Sequence, residues 1–65
     1  MKIDEAIVRY RLRYDTAPTH LLLDSDGVED VLKQLGVEKL PSFIHGLRVV
    51  EIIDGKSCVA TIEPL

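Results

Sequence analysis

The sequence predicts a small α/β (α+β) domain in which two helices accompany a three-stranded mixed sheet, in the order helix, strand, helix, strand, strand. Three observations carry that prediction. Val28, Val31, Leu32 and Leu35 recur at i, i+3, i+4 and i+7, the stripe of an amphipathic helix. Thr19 to Leu23 and Leu47 to Ile53 have the length and composition of strands. Asp54-Gly55, between Leu47–Ile53 and a third strand at Ser57–Glu63, is a type I′ hairpin signal.

The first element spans about residues 3–14. Ile3, Ile7, Tyr10 and Tyr14 form a helical stripe, although Val8, Tyr10, Leu12 and Tyr14 also alternate with polar residues as in a strand. Helix is favoured because Asp4 and Glu5 open the segment and Arg11 and Arg13 close it, which suits the helix dipole. Glu5 and Arg9 add an i, i+4 pair. Pro18 then forces Ala17 into an extended conformation and ends the helix. In the strand that follows, Leu21, Leu22 and Leu23 are all apolar, so both of its faces need cover.

The second helix follows Asp24-Ser25-Asp26-Gly27. Asp26 is the expected N-cap, with Glu29 three residues on as a partial capping box. Gly36 suits the left-handed position after the last turn, with Val37 as its apolar partner. Glu38 to Gly46 is a connection broken by Pro41, with Phe43 and Ile44 plugging one end of the core. The helical crossover makes the first two strands parallel. A hairpin at Asp54-Gly55 sets the third antiparallel to the second, with Val50 facing Val59 and Val49 facing Ala60.

Length and composition bound the function. At 65 residues, residues 1–65 form a single domain, read without a linker or targeting segment. Such a chain buries only about 60% of its unfolded surface, so it gains most from a disulfide, a metal or a second subunit. Cys58 is the single cysteine, which excludes an intrachain disulfide and fits a reducing compartment. No uninterrupted apolar run is longer than that of Leu21-Leu22-Leu23, far below the ~20 residues of a membrane span. A net charge of -3 weighs against a general binder of phosphate backbones.

The chemistry-bearing residues do not assemble into a known motif. His20, His45 and Cys58 are separated by twenty-four and then twelve residues, which matches no compact zinc pattern. Aligning Gly27 with the glycine of a calcium loop puts Leu22 and Lys33 at the first and last ligand positions, which excludes an EF-hand. Cys58 falls mid-strand, where a buried, inert thiol is expected. No glycine-framed serine and no glycine-rich phosphate loop is present. The reading is therefore non-enzymatic, with no cofactor, no metal and no catalytic residue.

Patterning points instead to a partner. Neighbouring residues on a strand face opposite ways, so Val49-Val50 and Ile52-Ile53 put apolar side chains on both faces of the sheet. Two short helices cover one face, and an uncovered apolar face marks a partner surface. The expected interface is Leu22, Val50, Ile52 and Val59. It alternates with a helix-facing set of Leu21, Leu23, Val49, Ile53, Ala60 and Ile62, and the two sets are exchangeable at this stage. The other possibility is that the helices straddle the sheet, one on each face. The partner is a second copy, a dimer being the commonest closed assembly, or another protein. An alternative function is a nucleic-acid or nucleotide-binding module using Arg9, Arg11, Arg13 and Arg48.

Pro18-Thr19-His20-Leu21-Leu22-Leu23-Asp24 before an amphipathic helix, followed by Gly46-Leu47-Arg48-Val49-Val50, resembles small uncharacterised proteins of tailed phages and prophages. The opening helix with Glu5-Ala6-Ile7 is similar too. The resemblance covers most of the chain and brings no catalytic residues. It implies a phage accessory protein, in the bacterial cytoplasm or in a virion.

Overall fold

A computed structural model describes residues 2–62. Its elements are α1 (Ile3–Tyr14), β1 (His20–Leu23), α2 (Ser25–Leu35), β2 (Phe43–Ile44), β3 (Leu47–Glu51) and β4 (Cys58–Ala60). The mixed α/β class is as expected. The sheet has four strands rather than three, in the order β2-β3-β1-β4.

α1 begins and ends where its charges and spacing place it. Asp15 closes it in the left-handed region, its N–H donating to the Arg11 carbonyl at 2.9 Å. Ile3 is buried and Ile7 packs beside it. Tyr14, expected in the core stripe, is 56% exposed and lies against the Tyr10 ring, with the Arg13 guanidinium over its face. The Tyr10 hydroxyl donates to Thr61 Oγ1 at 2.7 Å, which ties α1 to the chain just after β4.

α2 starts two residues earlier than expected. Asp24, not Asp26, is the N-cap, its carboxylate accepting the Gly27 N–H at 2.7 Å. The reason is tertiary: the same oxygen accepts the Ser57 hydroxyl at 2.9 Å, and Ser57 Oγ accepts the Asp24 N–H at 3.1 Å. Gly36 takes the left-handed position that ends the helix.

The expected hairpin at Asp54-Gly55 does not form. β1 lies between β3 and β4, pairing parallel with the first and antiparallel with the second. The physical reason is that Leu21-Leu22-Leu23 is the most apolar strand and gains most from a neighbour on each edge. Residues 52–57 therefore cross from β3 over to β4, a lateral step of about 10 Å, or two strand spacings. The tight hairpin is instead β2–β3, closed by His45 (φ 50) and Gly46 (φ 78), the two positive φ values of a type I′ turn. His45 Nε2 also stands 3.5 Å from Asp4 Oδ1, beside the start of α1. The end of the third expected strand, from Glu63 on, lies outside the described residues.

One core holds these elements. It comprises Ile3, Leu21, Leu23, Val31, Ile44 and Leu47, with Ile7, Val28, Leu40, Val49 and Val59 packed against it. Both helices contribute to this cluster, and Leu21 and Leu23 share one face of β1 by alternation. α1 and α2 thus lie on the same side of the sheet and do not straddle it.

Candidate docking face

The cross-strand register assigns the side chains of the other face, because directly paired residues point the same way. Phe43 pairs with Arg48, Arg48 with His20, and His20 with Ala60, which makes one row across all four strands. Val50 pairs with Leu22, and Leu22 with Cys58, which makes the next row. Ile52 continues β3, its N–H donating to the Leu23 carbonyl at 2.8 Å, so it falls on the side of Val50. Leu22, Val50 and Ile52 are half-buried, and none of them belongs to the core cluster that both helices join.

Three of the four expected interface residues therefore share this face. Val59 does not: it pairs with Leu21 and packs on the core. Ala60 takes the place expected of Val59, and Cys58 lies beside Leu22. The expected hairpin put Val59 opposite Val50, and losing that hairpin shifts β4 by one residue, which exchanges its faces. Ile53, expected to face the helices, is 99% exposed in the crossing loop. Cys58 is an exposed free thiol on an edge strand rather than a buried one.

Phe43 was expected to plug the core. It is 59% exposed on the open face, while its neighbour Ile44 is buried. Phe43 and His20 were absent from the expected interface. The signal that would have placed Phe43 is His45-Gly46, a two-residue turn between Ile44 and Leu47, which sets it directly across from Arg48. His20 Nδ1 is held by Thr19 Oγ1 at 2.7 Å, which fixes the imidazole beside its own strand.

The four arginines of the alternative reading do not converge. Arg9, Arg11 and Arg13 are exposed on α1, in the helix layer, whereas Arg48 is on the opposite side of the sheet. Among the described residues, no three ligand-type side chains stand close enough to hold a metal ion. No helix there is long and apolar enough to cross a membrane.

The turn from β1 into α2 is the most organised polar feature. Asp24 is held below its ordinary carboxylate pKa, first by the Gly27 N–H and then by the Ser57 hydroxyl. A depressed folded-state pKa contributes stability above the unfolded value, and that stability is lost as pH falls through the folded one. An Asp24→Asn variant should therefore be less stable than the parent at neutral pH. The two denaturation midpoints should converge at acid pH, below the ordinary aspartate range. A difference that persists unchanged into strong acid would contradict the assignment.

No protein-family model, no curated protein and no solved structure matches the chain.

Proposed function

We propose that the chain is a non-enzymatic protein-interaction domain that docks on a larger assembly or a host factor through the open face of its sheet. The observation that supports this is the single-sided core: both helices lie on one face, and Leu22, Val50 and Ile52 form an apolar surface on the other. Water contact with such a surface is unfavourable by about 25 cal/mol per Å², and a partner removes it. The resemblance to tailed-phage proteins supplies the setting of this reading, an infected bacterial cytoplasm or a virion.

The test places a photo-cross-linking amino acid at position 50, and separately at position 9 on α1, in the cells that make the protein. A discrete protein adduct from position 50, abolished by Leu22→Thr, is the expected result. Adducts from position 9 with none from position 50 would overturn the reading.

A further inference from the structure

We infer that the occupant of the open face is an acidic, amphipathic peptide segment of a partner protein, and not a second copy of this chain. The inference rests on the docking role proposed above. Two observations carry it, the charge of the face and its size.

The chain has eleven carboxylate side chains and eight lysines and arginines, so an arbitrary patch of it is more often acidic than basic. The open face reverses that balance. Its strand residues include Arg48 and His20, paired side by side, and no carboxylate. Glu51, the one acidic strand residue, pairs with Leu23 and so belongs to the other side. Asp24, which follows β1, is turned into the cap of α2 by its bonds to Gly27 and Ser57. The Arg48 guanidinium beside an apolar row fits a partner that carries carboxylates next to aliphatic or aromatic side chains. Arg48 offers the planar fork of donors that a carboxylate accepts in pairs. A symmetric stack of two copies would bury two Arg48 guanidinium groups without an acid among these strand residues to meet them.

The face is also small. Three strand spacings by five residues give about 14 × 17 Å, roughly 240 Å² in projection. A standard stable interface takes about 800 Å² from each partner. A face of this size accommodates one extended or helical segment laid across Phe43, Arg48, Val50 and Leu22. Alone, it does not supply the area of a stable dimer.

The experiment is selection of a random dodecapeptide library on the immobilised full chain. Affinities of recovered peptides are then measured for the parent, for Arg48→Glu and for Leu22→Thr, each verified as folded by circular dichroism. Sedimentation of the parent, and titration with a labelled oligothymidine, run alongside. The expected pool is enriched in Asp and Glu beside apolar residues. Its members lose about tenfold or more in affinity with Arg48→Glu and with Leu22→Thr, and weaken with added salt. A pool without acidic bias that is sensitive to Leu22→Thr but not to Arg48→Glu overturns this inference and leaves the docking role standing. Peptides insensitive to both variants, or no recovered peptides at all, count against both. A dimer at micromolar concentration that Leu22→Thr dissociates overturns the inference in favour of a second copy. Oligothymidine binding tighter than any peptide, and lost with Arg48→Glu, overturns it in favour of nucleic acid.

Discussion

Leu21→Ala is expected to leave too little stability for the chain to stay folded at physiological temperature. Leu21 is fully buried at the centre of β1, the strand paired on both edges. Truncating a buried leucine costs about 2–5 kcal/mol, from lost transfer energy and from the cavity left behind. A single core in a chain of this length rarely supplies more than ~3–5 kcal/mol. The loss is therefore comparable with the whole. Leu22→Ala, one residue along the same strand, should cost under about 1 kcal/mol, since its side chain lies outside the core. Urea unfolding of the two variants beside the parent makes the comparison. Equal losses would mean that the two faces of β1 are equally packed.

The second large effect is expected at Gly27. It is buried in the first turn of α2, and a Cβ there would collide with Ser57 Oγ and come within 3.1 Å of both Ser57 Cβ and Asp24 Oδ1. Ser57 has no freedom to retreat, because its hydroxyl both donates to the Asp24 carboxylate and accepts from the Asp24 N–H. Gly27→Ala should therefore destabilise by about 1–3 kcal/mol despite the better helix propensity of alanine. The cost should shrink in a Ser57→Gly background, where the two Ser57 atoms are gone and only Asp24 Oδ1 remains close. An unchanged cost in that background would place the strain elsewhere.

These two sites differ in how far the sequence alone exposes them. Alternation separates Leu21 and Leu23 from Leu22, but which side meets the helices is not fixed by the sequence; both helices are legible from spacing and terminal charge. The cap is not. Asp24, Ser25 and Asp26 are all good capping residues, and the choice falls to Asp24 through Ser57, a partner 33 residues away. Strand order was hidden for a similar reason. Asp54-Gly55 is a strong local turn signal, yet the gain from placing the triple-leucine strand in the middle of the sheet outweighs it. The candidate face was half legible. The grouping of Leu22, Val50 and Ile52 is legible from alternation, though not which side it lies on, whereas Val59 depends on the hairpin register and exchanges places with Ala60 when β1 intervenes. Phe43 and Arg48 become neighbours only through the His45-Gly46 turn, which lies in a segment whose Pro41 and Gly46 suggest a loop.

The single-sided sheet is tested most directly by two double variants on the same pair of strands. Leu22 and Val50 are paired on the open side, and Leu21 and Val49 are paired on the helix side. Threonine is a good strand former, so changing either pair to threonine mainly alters burial. Urea unfolding of Leu22→Thr/Val50→Thr should stay within about 1 kcal/mol of the parent. Leu21→Thr/Val49→Thr should not fold. If the first pair unfolds the chain, or if both pairs cost the same, the open face is part of a core and the proposed docking surface does not exist.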